Sequence, residues 1–392
     1  MRILELFAGI GACSKALERI GIDVEIVDAV EIDKYAIKSF NAIHGTDFEV
    51  QDIKEWDKDL KDIDLITHGS PCQDFSVAGK QAGGDLGSGT RSSLMYETIR
   101  IVGKVRPKYV LWENVKNLLS KKHKHNFDAY VETMNVLGYN SYYQVLNAKD
   151  YGVPQNRERV YTISIRKDID KGIFKFPEKE QLQLRLKDML ENEVDEKYYL
   201  SKDKFSKIQV NNYEDKNAEL MRIGGMYGQT TRWGLYDEKG ISPTLVAAMG
   251  EGGGYVPMVS RIGGIFDTEA VKENHSTVTA TNVLKSKDKR LCSLVNKTNF
   301  EEGKVLNMDL YNQTTNENIS QCLTEPHHNT QRLFDGYRIR KLTPKECWRL
   351  MGFDDEDFEK AAGVPTSNTQ LYKQAGNSIV VNVLEKIFKN LF

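Results

Sequence analysis

Through the first ~165 residues, short apolar runs alternate with helix-like segments, and few architectures accept that order. Ile3–Phe7, Val24–Glu31, Ile63–Thr67, Tyr109–Glu113, Tyr142–Leu146 and Val160–Ile165 read as strands. Cys13–Ile20 reads as a helix closed by Gly21, and Asp33–His44 as one ended by Gly45. Leu94–Val105 is stopped near Pro107, and Asp128–Leu137 ends at Gly138. The alternation predicts an α/β fold of parallel βαβ units in a doubly wound, Rossmann-like sheet.

After about residue 170 the character changes. Lys171–Lys216 is rich in Lys, Glu and Asp and leans helical, as a connector would. Met221 to about 334 is rich in Gly, Thr and Asn and predicts a mostly β domain. A weak repeat supports this: Arg222-Ile223-Gly224-Gly225-Met226-Tyr227 returns as Arg261-Ile262-Gly263-Gly264-Ile265-Phe266. Each copy precedes a Ser/Thr-rich strand candidate, Ile241–Ala247 and His275–Ala280. A fainter third copy is Val305–Tyr311 followed by Ile319–Thr324. From Tyr337 the α/β pattern resumes. Thr343-Pro344-Lys345-Glu346 carries a cap, a first-turn proline and an acid at the third position, so a helix starts there and ends at Gly352. Ile379–Phe392 is an amphipathic helix. The expected organisation is 1–167, first part of the α/β domain; 168–334, an inserted β domain with its connector; and 335–392, the rest of the α/β domain.

Composition narrows the function. The 54 basic and 56 acidic residues give a net charge of −2, so a nucleic-acid surface has to be a local patch. Cys13, Cys72, Cys292, Cys322 and Cys347 are scattered, with no metal-ligand spacing, which argues against zinc and against a disulfide framework and suits a reducing cytoplasm. His327-His328 lacks Cys or acid partners, so no metal is expected. The chain enters a strand at Arg2, leaving no room for a signal peptide, and no apolar run reaches membrane-spanning length.

The chemistry concentrates at the expected strand tips, which share one crevice in a doubly wound sheet. Phe7-Ala8-Gly9-Ile10-Gly11 ends the first strand, and its glycines let a ligand approach the backbone beside a helix N-terminus, or simply close a tight connection. Glu31-Ile32 ends the second strand, where an acid can accept from ribose hydroxyls; Asp52-Ile53 follows, within reach of an adenine amino group. No Lys-Ser/Thr phosphate loop is present, which favours a nucleoside cofactor without a pyrophosphate; S-adenosyl-L-methionine fits. Gly69-Ser70-Pro71-Cys72-Gln73 follows the third strand. Cys72 there is either a placed nucleophile or a small half-buried thiol. Glu113 ends the fourth, and alternation puts Arg157 and Arg159 on one face, which would make an electropositive pocket around Cys72 and Glu113.

These segments, with Arg340–Phe353 and Gln374-Ala375-Gly376-Asn377-Ser378, resemble the C5-cytosine DNA methyltransferases of prokaryotes and phages, in the family's order and over more than half the chain. The resemblance implies that Cys72 adds to cytosine C6, Glu113 bonds N3 and the exocyclic amine, Arg159 grips O2, and Arg157 supports Glu113 or a phosphate. It implies S-adenosyl-L-methionine contacts at Phe7, Ala8, Gly9, Ile10, Gly11, Glu31, Ile32, Asp52, Ile53, Leu94, Asn377 and Ile379, with S-adenosyl-L-homocysteine as product. The target base would leave the stack of double-stranded DNA. The glycine-rich stretch 77–91 would close over it, with Lys80, Gln81 and Arg91 toward DNA. The inserted domain would be a target-recognition domain, with Arg222, Gln229, Arg232 and Arg261 as candidate base readers. Lys121-Lys122-His123-Lys124-His125 could meet phosphate or be a solvated loop. Two departures stand out: Ala12 where the family usually has glycine, and Ala78 where some members carry a polar residue that fills the space of the flipped base. A monomer is expected, with a cognate restriction endonuclease as a candidate companion. A transfer-RNA cytosine methyltransferase would carry a Cys-Phe-Thr motif and a smaller insert; a non-catalytic DNA-binding relative would have no use for the whole set of site residues.

Overall fold

The computed structural model describes residues 1–71, 94–200, 219–226, 233–250, 255–259 and 339–392, and the backbone alone at 208–210, 260–262, 306–309, 314–317, 331–334 and 337–338. The chain divides into two compact units, Met1–Leu184 with Thr244–Gly250 and Cys347–Phe392, and Arg185–Pro243 with Glu251–Glu346. Relative to the expected boundaries, 168–184 and 244–250 fall in the first unit and 335–346 in the second.

The first unit is built on β1 (Arg2–Leu6), β2 (Glu25–Val30), β3 (Leu65–His68), β4 (Tyr109–Val115), β5 (Tyr139–Asn147) and β6 (Glu158–Arg166), in the order β2-β1-β3-β4-β6-β5. The helices are α1 (Ala12–Arg19), α2 (Lys34–His44), α3 (Met95–Val105) and α4 (Lys124–Val136). Strand alternation distributes them over both faces. Leu4 and Leu6 join Ile101 and Val102 of α3 and Tyr130 of α4 in one core. Glu5, pointing the other way, accepts from the Ser14 backbone of α1 at 3.1 Å. Local signals set the helix ends: the Asp33 side chain caps α2 through Tyr35 N at 2.9 Å, and Gly45 leaves it at φ 66°.

The sheet is Rossmann-like but not wholly parallel, which corrects the expectation. β1, β2, β3 and β4 pair in parallel, whereas β6 runs antiparallel to both β4 and β5. The link 148–157 holds only a short 3-10 turn, Ala148–Tyr151, and no crossover helix, so the chain folds back. The reversal carries the start of β6 to the sheet edge where β1, β3 and β4 end.

Late helices complete this unit: α5 (Pro344–Arg349) from Cys347 on, α6 (Asp355–Gly363), α7 (Asn368–Asn377) and α8 (Val381–Leu391). The Thr343 signal works as read: Glu346 N bonds Thr343 Oγ1 at 3.2 Å and Thr343 N bonds Glu346 Oε2 at 2.8 Å. The turn after α5 takes the left-handed conformation at Gly352. α8 buries Val381, Leu384, Ile387 and Phe388, and Arg19 of α1 bonds Glu385 at 2.9 Å.

The second unit holds a five-stranded sheet ordered β14-β10-β9-β8-β7 and a three-stranded sheet β12-β11-β13. The strands are β7 (Ile208–Val210), β8 (Arg222–Met226), β9 (Gly234–Asp237), β10 (Met258–Ile262), β11 (Leu306–Asp309), β12 (Thr314–Glu317), β13 (Gln331–Phe334) and β14 (Tyr337–Lys341). The repeat is only partly structural. Its first copy is β8, antiparallel to β9; the second begins at the end of β10, parallel to β9. Ile241–Ala247 is not a strand: Ser242 makes a lone bridge, Pro243 has no N–H to offer, and Ala247–Gly250 is a 3-10 turn. Nor does 171–200 form an α-helix; it carries 3-10 turns at Leu186–Met189 and Glu196–Tyr198. Its charges supply no apolar stripe for a helix to bury. His275–Ala280, Ile319–Thr324 and His327-His328 lie outside the described residues.

Candidate active site

Three strand ends converge. After β1, Phe7, Gly9 and Gly11 take positive φ of 53°, 57° and 80°, a tight turn closed by Gly11 N on the Ala8 carbonyl at 3.0 Å. Gly11 is backed by His44: a Cβ there would fall 2.0 Å from the ring Nε2, which lies 3.3 Å from the Ile10 carbonyl. Gly9 N donates to Glu31 Oε2 at 2.9 Å and Asp33 N to Oε1 at 2.8 Å, so the tips of β1 and β2 are tied through one carboxylate. Burial raises the Glu31 pKa against these bonds. Ile32 beside it is 66 % exposed, unusual for an isoleucine at a strand tip.

After β3, the loop toward Cys72 is anchored at its base. Trp112 Nε1 donates to Ser70 Oγ at 3.1 Å and Asn114 Nδ2 to the Ser70 carbonyl at 3.2 Å. His68 stacks on Trp112 with centroids 5.6 Å apart and meets the Tyr130 hydroxyl at 3.1 Å; burial lowers its pKa to about 3, so it stays neutral. A Cβ on Gly69 would sit 3.8 Å from Glu113 Oε2 and 3.9 Å from Ile379 Cδ1. Cys72, Ala78, Lys80, Gln81 and Arg91 lie outside the described residues.

Glu113 of β4 is 9 % exposed. Arg159 Nε stands 3.1 Å from its Oε1, yet that oxygen has no aligned hydrogen bond and keeps acceptor capacity. Burial pushes the Glu113 pKa up, with Arg159 and then Arg157 opposing it. The register that places Val115 against Arg159 and Glu113 against Tyr161 makes Glu113 and Arg159 diagonal neighbours. Arg157, expected beside Glu113 or a phosphate, is 4 % exposed and donates to the carbonyls of Leu245, Gly376 and Ser378.

One crevice is lined by Phe7, Ala8, Gly9, Ile10, Gly69, Glu113, Asn377 and Ile379. Glu31, Ile32, Asp52, Ile53 and Leu94 are not on its wall. Glu31 borders the turn through Gly9, and Gln51 N bonds the Glu31 carbonyl at 2.9 Å, bringing Asp52 to the same end of the sheet. Asp52 caps Lys54 N at 3.0 Å; Ile53 is buried, and Leu94 packs on the same core as Phe7. Among the described residues no cluster of His, Cys, Asp or Glu suits a metal ion. The basic run 121–125 is only partly a loop, since Lys124 opens α4 and pairs with Asp128 at 2.5 Å, while His123 is buried. Arg222 bonds the Gly224 carbonyl at 3.3 Å; Gln229 and Arg232 lie outside the described residues, and of Arg261 only the backbone is described.

Sequence reading missed Ser70 and Trp112 as parts of this framework. A tryptophan before the acid of Glu113-Asn114-Val115 and a serine before Pro71-Cys72 were the available signals.

Comparison with known proteins agrees with the geometry. The family model for C-5 cytosine-specific DNA methylase matches residues 1–392. Orphan methyltransferase M.SPRI of Bacillus phage SPR is 36% identical over 438 aligned positions, covering 100% of this chain and 97% of the relative. Type II methyltransferase M.HhaI of Haemophilus parahaemolyticus is 32% identical, covering 100% and 94%. In fold, the Entamoeba histolytica methyltransferase EhMeth superposes with a TM-score of 0.64 at 15% identity, covering 100% of this chain and 98% of that one. The chain belongs to the C-5 cytosine-specific DNA methylases and is an enzyme that methylates cytosine in DNA at carbon 5.

Proposed function

We propose that the protein takes the methyl group from S-adenosyl-L-methionine and places it on a cytosine flipped out of a specific double-stranded DNA sequence, through a transient bond between Cys72 and C6. The observation that carries this reading is Glu113: a buried carboxyl with its pKa raised and an oxygen short of an aligned donor, in the crevice shared with the glycine turn and Asn377.

The residues fit a nucleoside donor. A Cβ at Gly9 would meet nothing within 4 Å, so the turn is open to an adjacent ligand. Glu31 is the ribose acceptor, exposed Ile32 covers an adenine face, and Asn377 with Ile379 closes the crevice from the C-terminal segment. When bound, the donor supplies a sulfonium methyl group, and S-adenosyl-L-homocysteine leaves.

Cytosine C5 is a poor nucleophile. The Cys72 thiolate attacks C6, and the electron pair moves to C5. Glu113 in its acid form hydrogen-bonds N3 and accepts from the exocyclic amine; burial favours that form. Arg159 donates to O2, where charge builds. With that electron pair C5 takes the methyl group, and loss of the C5 proton then expels the Cys72 thiolate and restores the ring. The anchoring of Ser70 by Trp112 and Asn114 supports a fixed approach for Cys72.

The segment 77–91 is the lid, with Lys80, Gln81 and Arg91 toward DNA, and the second unit is the recognition domain. A monomer acting in the cytoplasm, alone or beside a cognate endonuclease, completes the reading; among the described residues no helix is long and apolar enough to cross a membrane.

Duplexes carrying 5-fluorocytosine test the route. Wild type incubated with S-adenosyl-L-methionine should form a denaturation-resistant complex. Cys72→Ala should abolish it while cofactor affinity, read by calorimetry, stays within about threefold. Trapping that persists in Cys72→Ala would place the nucleophile elsewhere.

A further inference from the structure

Arg157 Nη1 donates to the Leu245 carbonyl at 2.7 Å, and Nη2 to the carbonyls of Ser378 at 2.9 Å and Gly376 at 3.2 Å. These acceptors come from two distant stretches of chain. Leu245 belongs to 244–250, a tongue that packs in the first unit although the chain on either side of it, to Pro243 and from Glu251, belongs to the second. Gly376 and Ser378 flank Asn377, which lines the crevice.

Other contacts seat the same tongue. Gln155 Oε1 accepts from Leu245 N at 3.2 Å while its Nε2 donates to the Leu350 carbonyl at 2.7 Å. Thr244 Oγ1 donates to the Asn156 carbonyl at 2.5 Å. At Gly376 a Cβ would lie 2.2 Å from the Val246 carbonyl carbon and 2.3 Å from its oxygen, so the tongue lies flat on a bare backbone. Charge-assisted bonds to carbonyls in a buried site are strong and directional.

We propose that Arg157 is a positioning residue that couples target reading to the cofactor crevice, by fixing the tongue 244–250 against the turn that carries Asn377. The proposal rests on the reading of the second unit as the recognition domain. A tongue held at both ends by that unit is seated when the correct sequence is engaged. Seated, it completes the acceptor set of Arg157 and fixes the backbone on both sides of Asn377. Unseated, it leaves a buried guanidinium short of an acceptor, an unfavourable state that disfavours turnover on wrong sequences.

The test uses the full chain, plasmid DNA and S-adenosyl-L-methionine, with wild type, Arg157→Lys and Thr244→Val. Initial rates give kcat and the KM for the methyl donor; bisulfite sequencing gives the methylated contexts. Lysine cannot span three carbonyls, so Arg157→Lys should raise the donor KM roughly tenfold, the scale of one lost charge-assisted bond. It should also spread methylation to contexts differing by one base. Thr244→Val should move both readouts the same way by a smaller factor, and decides the matter alone if Arg157→Lys does not fold. A purely structural role lowers kcat through the active fraction and leaves KM and contexts at wild-type values; either readout staying there overturns the coupling. Wild type that methylates no defined context would instead overturn the recognition reading.

Discussion

Each unit holds a glutamate–arginine pair, and the two are built to opposite ends. Arg340 and Glu346 form a two-pronged pair at 2.6 and 2.7 Å, both fully buried, and Glu346 also accepts from Thr343 N and Glu191 N, each at 2.8 Å. Every lone pair has work within the fold. Glu113 and Arg159 touch through one nitrogen at 3.1 Å, and the carboxylate oxygen lacks an aligned donor. Among the described residues Arg340 Nε has no acceptor, so the contrast lies in the carboxylates: one with every lone pair engaged is a structural lock, and one left short at a crevice is held ready for something that is not protein.

Substitution can break that contrast. Glu346→Gln leaves Arg340 as a buried charge without its partner, a loss of about 3–5 kcal/mol. Chemical denaturation should show this as early unfolding of the second unit. Stability within about 1 kcal/mol of wild type would mean the pair is no lock.

Glu113→Gln should do the reverse. Turnover should fall by roughly 10²–10³, the scale of one transition-state donor, because an amide cannot pass a proton to N3. The fold should not weaken. The Glu113 pKa is raised in the folded state, so its ionised form disfavours folding as pH rises above the ordinary carboxylate range. Glu113→Gln should therefore melt no lower than wild type at pH 8, with any advantage shrinking toward pH 4.5. A destabilised variant at pH 8 would make Glu113 a structural residue like Glu346.

His68 offers the finest discrimination. Its pKa, about 3 folded against 6.5 free, means that the unfolded chain takes up a proton the folded one refuses. Stability present above pH 6.5 should be lost on acidification, by about 2 kcal/mol between pH 7 and pH 5. His68→Phe should keep the aromatic stack and flatten that slope in melting curves recorded across the range. An unchanged slope would assign the acid sensitivity to the carboxylates.

Much of this was readable from residue order. Alternating apolar runs located the strands of the first unit because a strand buried on both faces needs a continuous apolar stretch. The Thr343–Glu346 start was readable because its four residues carry their own hydrogen-bond logic. Long-range partners were not. Nothing local in Gln155–Arg159 says that β6 reverses, although only the reversal brings Arg159 to Glu113. Arg157 carries the same charge as Arg159 two residues away, yet it ends on carbonyls at 245, 376 and 378, positions that no periodicity connects. The segment 241–247 misled because alternation in Ser, Thr and Val resembles a strand, whereas Pro243 and the lie of the chain on Gly376 make it a tongue.

The packing of α8 and α6 on α1 fixes when the enzyme can begin to work. Arg19 and Lys15, made at the start of synthesis, find Glu385 and Asp357 only at its end. At translation rates of roughly 5–20 residues per second, the first helix waits some 20–70 s for these partners. A chain made only as far as α6 therefore lacks Asn377, Ser378 and Ile379, which line the crevice beside Phe7 and Glu113. A message cut short before Asn377 leaves the crevice without that part of its wall.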